Sequence, residues 1–281
     1  MKIFRTIEEQ QNYSKNEKCE NIKIALVPTM GFLHEGHLSL IDKAKEHADK
    51  IIVSIFVNPT QFGEGEDYKD YPRDERKDLE VLREKNVDAV FIPEVSEMYP
   101  EGFRTFCEVG ELSNKYCGES RPAHFRGVTT VVLKLFNITK PDIAVFGEKD
   151  YQQYIIIKKM TEDLNLPIEI IPSPIIREGD GLALSSRNIY LEKEERIEAT
   201  VIYESLVMAR KMIDEGEYEV NLLKGKMNEL IKSKKHARID YIEFVDSRTL
   251  EKVEKVENPT RILVGVWIGK ARLIDNMEIK P

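Results

Sequence analysis

The sequence lacks what would mark a secreted, zinc-built or nucleic-acid-binding chain. Its three cysteines, Cys19, Cys107 and Cys117, are odd in number and show no ligand-pair spacing. Neither a disulfide framework nor a zinc ribbon is suggested, which fits a reducing compartment. There is no basic excess: 42 Lys and Arg stand against 50 Asp and Glu, a formal charge of −8. A surface for phosphate backbones normally needs the opposite balance on some face. The most basic stretch, Lys232 to Arg238, falls near the end of a helical pattern, where cations favour the negative end of the helix dipole. Long apolar runs are also missing. Ile51 to Val57 is strand-sized, far short of the ~20 residues needed to span a bilayer. The opening MKIFRTIEEQ has no apolar stretch of signal-peptide type. The expectation is a cytoplasmic protein with no membrane partner, no nucleic-acid partner and no metal site of its own.

What is present is a regular alternation. At 281 residues the chain suits two cores. Strand patterns at Ile22–Val27, Ile51–Val57, Asp88–Ile92, Asp142–Phe146 and Ile168–Ile171 alternate with helical ones. The helical patterns lie at Gly36–Asp49, Asp74–Lys85, a stripe over Val128, Val131, Val132 and Leu135, and Tyr151–Leu164. Strands alternating with helices predict a parallel sheet covered on both faces, Rossmann-like in the broad sense. The pattern then changes to two helices, Lys193–Glu215 and Glu219–Lys235, and to strands at Ile239–Val245, Ile262–Ile268 and Ala271–Ile274. The expected fold class is α/β: residues 1–175 form the Rossmann-like domain and 176–281 a small α+β domain. The boundary falls near Pro172-Ser-Pro174 and Gly179-Asp-Gly181.

Three segments suit phosphate chemistry. PTMGFLHEGHLSL, Pro28 to Leu40, leaves a strand and opens a helix, where parallel sheets place ligands. Gly31 and Gly36 allow a tight turn, the helix start offers N–H groups, and His34 and His37 add side-chain donors. The alternatives are that the histidines merely cap the helix or bind a metal. FGEKDYQQ, Phe146 to Gln153, follows another strand. There Gly147 permits close approach, Lys149 supplies a point charge and Asp150 accepts from ribose hydroxyls, unless the pair is an exposed charge plus a helix cap. REGDGLALSSRN, Arg177 to Asn188, places Ser185, Ser186 and Arg187 in a Gly-bearing stretch that reads as a flexible closing loop or a polar linker. Together they point to ATP, cleaved between its α- and β-phosphates. Gln61 and Gln153 are two-ended hydrogen-bonders suited to a small substrate with hydroxyl and carboxylate oxygens, or are simply surface glutamines. Arg121, His124 and Arg126 form a cationic loop whose role is either anion binding or helix initiation.

These segments, with FVNPTQFG, the Tyr71–Asp74 run YPRD, RPAHFRGV, KLFN and GKARLIDN, closely resemble the pantothenate synthetase family over nearly the whole chain. The resemblance implies a nucleotidyltransferase-type sheet and a two-step reaction with Mg2+ carried by the ATP phosphates. Pantoate would form pantoyl adenylate with release of pyrophosphate, and β-alanine would then displace AMP. It implies that Met30, Gly31, His34, Gly36, His37, Gly147, Lys149, Asp150, Ile176, Leu184, Ser185, Ser186 and Arg187 bind ATP. His37, His34, Lys149 and Arg187 would be the catalytic set and Gln61 and Gln153 would hold pantoate, with Gln61 also near β-alanine. A homodimer is implied as well, and a second domain that closes over the site, with motion at Gly179–Gly181. Three positions depart from the family pattern. Phe32 stands where a small residue is common, Ala123 where glycine is, and Thr129 where alanine is. The rival activity is a nucleotidyltransferase that moves AMP onto a phosphorylated acceptor and stops there. A second is a non-catalytic nucleotide- or tRNA-contacting module.

Overall fold

A computed structural model describes residues 1–280. The chain begins with strand β1 (Lys2–Phe4) and helix α1 (Ile7–Cys19), then β2 (Ile24–Thr29), α2 (Glu35–Lys45) and β3 (Lys50–Ile55). There follow α3 (Glu75–Glu84), β4 (Ala89–Phe91), and the single turns α4 (Val95–Met98) and α5 (Cys117–Ser120). Next come α6 (His124–Thr139), β5 (Ile143–Gly147), α7 (Tyr151–Asp163) and β6 (Glu169–Ser173). The remainder is α8 (Lys193–Glu198), α9 (Val201–Asp214), α10 (Val220–Lys232), β7 (Ala237–Asp246), β8 (Thr260–Ile268) and β9 (Ala271–Ile279).

The chain divides into two compact units. One holds Met1–Glu148 and Gln153–Pro174; the other holds Lys149–Gln152 and everything from Ile175 onward. In the first, six parallel strands run in the order β1-β4-β3-β2-β5-β6. Leu26, Val27, Ile52 and Val53 are fully buried, as strands covered on both faces must be. Each such side chain contributes roughly 1.5–3 kcal/mol by leaving water. The chain runs outward from β2 through β3 and β4, then returns to the other side of β2 as β5. That reversal is the switch point at which open parallel sheets leave a crevice beyond the strand ends.

In the second unit an antiparallel sheet β7-β8-β9 pairs along its length. Leu206, Leu223, Met227, Phe244, Ile262 and Val264 form its core with the faces of α9 and α10. Among the described residues no helix is long and apolar enough to cross a membrane.

Candidate active site

In the first unit β2 ends at Thr29, whose hydroxyl donates to the Ser54 carbonyl at 2.8 Å and accepts from the Gly31 amide at 3.2 Å. The chain then turns through two left-handed residues, Gly31 (φ 81°) and Phe32 (φ 51°). A Cβ on Gly31 would lie 2.9 Å from both Asp78 Oδ2 and Ile55 Cγ2, so glycine is required there. Asp78 reaches in from α3 and accepts the Phe32 and Leu33 amides at 2.8 and 2.7 Å. Burial pushes the Asp78 carboxyl above its ordinary value, and the two amide bonds partly offset this. The Phe32 departure is therefore held by its own backbone: its amide is locked to Asp78 in a conformation that costs a non-glycine residue about 1–2 kcal/mol.

His34 caps α2. Its Nδ1 accepts the Gly36 amide at 3.2 Å, while its own amide donates to His37 Nδ1 at 3.3 Å. The rings stack at 4.0 Å between centroids. Because both Nδ1 atoms accept backbone protons, each neutral ring carries its proton on Nε2. Capping and donating are thus one arrangement rather than alternatives. The turn differs from the expected cradle of open amides. Phe32, Leu33 and Gly36 spend theirs on Asp78 and His34, so the donors fixed here are the imidazole Nε2–H groups.

Gln61 lies in the Pro59–Gln61 turn after β3. Its Oε1 accepts from Asn58 Nδ2 at 3.1 Å, and its Nε2 contacts Met30 Sδ at 3.1 Å. Asn58 is buried, also donates to the Gly127 carbonyl at 3.1 Å, and accepts from the Tyr99 hydroxyl at 2.8 Å. Sequence reasoning assigned it no role; its place beside Gln61 in NPTQ was the available signal. The loop with two open readings now has a third. Arg121 donates to both carboxylate oxygens of Glu66, at 2.8 and 2.5 Å, and to the Gln61 carbonyl at 3.2 Å. It also donates to His124 Nε2 at 3.1 Å, so His124 Nδ1–H donates to the Gln61 carbonyl at 2.7 Å. The two hold Gln61 in place, whereas Arg126 stacks on Phe106 at 4.1 Å. Thr129 donates to the Cys107 carbonyl at 2.6 Å, a bond alanine would not make. Gln153 is half-buried on the first turn of α7, and Gly147 ends β5 with Leu40 3.7 Å from where its Cβ would be.

In the second unit Lys149 and Asp150 follow β5 in a 3-10 turn, Glu148–Asp150, with Nζ 3.9 Å from the Asp150 carboxylate. A pocket there is lined by Lys149, Leu182, Ser185, Asn188 and Asp275. Ser185 caps the short helix Ser186–Tyr190, its Oγ accepting the Arg187 amide at 3.3 Å, and Ser186 is buried. Ile176 and Leu184 are joined by a 3.0 Å backbone bond that closes a hairpin. The Gly179–Gly181 stretch, expected to be a hinge, is the tip of that hairpin. A Cβ on Gly181 would lie 2.0 Å from the Tyr203 ring, and Arg196 pairs with Glu178 and Asp180, each at 2.8 Å. Among the described residues no group of three or more His, Cys, Asp or Glu is placed to hold a metal ion.

A family profile described as Pantoate-beta-alanine ligase matches residues 2–278. The chain is 53% identical to a pantothenate synthetase of Aquifex aeolicus over 279 residues, covering 99% of each chain. It is 51% identical to that of Caldicellulosiruptor bescii over 280 residues, 100% of this chain and 99% of the relative. The crystal structure of pantothenate synthetase from Thermus thermophilus superposes with a TM-score of 0.95 at 42% identity, each chain covered completely. The pantoate-beta-alanine ligase of Francisella tularensis, solved with a β,γ-ATP compound and β-alanine, matches with a TM-score of 0.81 at 40% identity, over 99% of this chain and 97% of that one.

Proposed function

This chain belongs to the pantoate–β-alanine ligase family and makes pantothenate in an ATP-dependent reaction, and on that premise we propose how its residues divide the work. The observation that carries the reading is the His34–His37 pair beyond β2, with both Nδ1 atoms tied to backbone and both Nε2–H groups fixed as donors. A carboxylate is a poor electrophile. Attack by a pantoate oxygen on the α-phosphorus breaks the bond to the β-phosphate oxygen and releases pyrophosphate, leaving a mixed anhydride. The β-alanine amine then attacks the acyl carbon, AMP departs with the bond electrons, and the amine loses its proton. No side-chain nucleophile is needed, since positioning and charge stabilisation can supply most of the barrier reduction.

In this reading His34 and His37 donate to phosphate oxygens as charge grows on the departing pyrophosphate. Lys149, Ser185, Ser186 and Arg187 neutralise the phosphates, Asp150 holds the ribose, and the Ile176 backbone meets the adenine. Met30, Gly31, Gly36, Gly147 and Leu184 shape the walls. Gln61, oriented by Asn58 and by Arg121 with His124, binds pantoate together with Gln153. Mg2+ would travel on the ATP phosphates, whose oxygens suit its octahedral preference, and would offset their charge. A homodimer and a cytoplasmic setting belong to the same proposal.

The test is pantoate-dependent exchange of labelled pyrophosphate into ATP without β-alanine. His37→Ala should lose roughly 10²–10³-fold in exchange rate, the range for removing one preorganised donor, while its melting temperature stays near that of the parent. A folded His37→Ala protein with undiminished exchange would remove His37 from the site.

A further inference from the structure

Two side chains of the second unit's sheet, Asn276 and Arg261, converge on Lys149–Tyr151. Asn276 on β9 donates from Nδ2 to the Lys149 carbonyl at 3.0 Å. Its Oδ1 accepts from Arg261 on β8 at 2.8 Å, and the Arg261 guanidinium lies over the Tyr151 ring at 3.8 Å from the centroid. The Tyr151 hydroxyl donates to the Ser247 carbonyl, just past β7, at 2.5 Å. Tyr151 and both converging side chains are buried, Asn276 at 2% exposure and Arg261 at 5%. Next to Asn276, Asp275 is also buried and accepts from Arg177 at 2.5 and 2.9 Å.

Such an assembly is hard to explain as a source of stability. Buried ionic and polar groups give up hydration worth several kcal/mol per ion, and apolar residues of similar volume often stabilise as well or better. Ala271, Leu273 and Ile279 on β9 join the apolar core, yet the strand interrupts that pattern with two adjacent buried polar residues. What the arrangement does supply is orientation. The Lys149 carbonyl lies in the single 3-10 turn that leads from β5 directly into α7, ahead of the first α-helical residue, Tyr151. A donor on that oxygen sets the plane, and the plane sets the direction in which the Lys149 side chain leaves the backbone. Arg261 holds the Asn276 amide so that Nδ2, not Oδ1, faces the carbonyl.

We propose that Asn276 is a positioning residue for Lys149, held in its donating orientation by Arg261, and that it fixes where the lysine ammonium meets the ATP phosphates. This rests on the reading of Lys149 as a phosphate-neutralising group. Replacing Asn276 with Asp keeps an acceptor for Arg261 but removes the donor to the Lys149 carbonyl.

The test compares pyrophosphate exchange in the parent enzyme, Asn276→Asp, Lys149→Ala and the double variant, with thermal unfolding measured alongside. Asn276→Asp should lower kcat roughly 10–100-fold, the scale for misplacing a reacting group by an ångström, with KM for ATP within about threefold. In the Lys149→Ala background the same change should matter less than about twofold, because no ammonium is left to misplace. Equal losses in both backgrounds, or full exchange by Asn276→Asp, would overturn the inference and leave the Lys149 assignment standing. A fully active Lys149→Ala enzyme would overturn that assignment and this inference with it. Should Asn276→Asp not fold, Arg261→Met fills the space against Tyr151 while freeing the amide to flip. It should show the same dependence on Lys149, and its absence would equally overturn the proposal.

Discussion

Ala123 shows how much one position depends on backbone conformation. It precedes α6 at φ 65° and ψ −3°, in the left-handed region, and its side chain is exposed. Glycine pays no steric penalty there and is also the better residue at a helix start. Its greater freedom in the unfolded chain offsets part of the gain. Ala123→Gly should therefore stabilise by about 0.5–1 kcal/mol. For a chain of this size that is a rise in melting temperature of about 1–4 °C, readable by calorimetry; a fall would mean the left-handed strain is not the dominant effect. The sequence could name Ala123 as unusual for its family but could not supply its φ. The same holds for Arg121 and His124: their charges were visible, but their shared acceptor, the Gln61 carbonyl, lies some 60 residues away in the chain.

At the scale of elements, the errors follow the physics of local signals. Strand β1 and helix α1 went unread because β1 is three residues long and α1 buries Gln10, Tyr13 and Ser14 rather than an apolar stripe. A readable signal did exist in Thr6-Ile7-Glu8-Glu9, which forms a capping box. The single helix expected over Lys193–Glu215 is two, α8 and α9. The Thr200 hydroxyl bonds the Ile197 carbonyl at 3.0 Å at the break, and such back-bonding bends helices. Strand β9 runs five residues past its expected end, because Asp275 and Asn276 break the apolar pattern while the ladder to β8 continues. The turn after β7 makes a prediction at this scale. Asp246 Oδ1 accepts the Arg248 and Thr249 amides, both at 2.8 Å, and these bonds hold its carboxyl below the ordinary value. A depressed folded pKa gives stability that is complete above the unfolded value near 3.9 and is lost as pH falls through the folded one. Asp246→Asn keeps an acceptor and does not titrate. Below about pH 4 its stability should fall less steeply than the parent's in denaturant titrations; parallel slopes would remove Asp246 from the acid response.

For the whole molecule, the assigned residues divide between the two units: His34, His37 and Gln61 in one, Lys149, Ser185 and Arg187 in the other. If both sets serve one ATP, a β,γ-substituted ATP analogue at about 100 times its Kd should stabilise the chain by about 2.7 kcal/mol. Both His37→Ala and Lys149→Ala should shrink that thermal shift. A shift that survives Lys149→Ala intact would take the second unit's residues off the nucleotide. The sequence by itself determined the alternation that makes the parallel sheet, the later change to a small antiparallel one, and the family, because strand period, helix period and contiguous motifs are local quantities. It also placed His34, His37 and Lys149 just past strand ends, where the switch-point rule puts ligands. The imidazole tautomers are local as well, set by the capped turn within His34–His37. Only the tertiary structure decided the contacts between distant segments: a carboxylate of α3 holds the turn after Gly31, and the Lys149 carbonyl accepts from an amide in the last strand. Hydrogen bonds between distant segments form only when the sheets bring them together, and no pattern within a dozen residues can encode them.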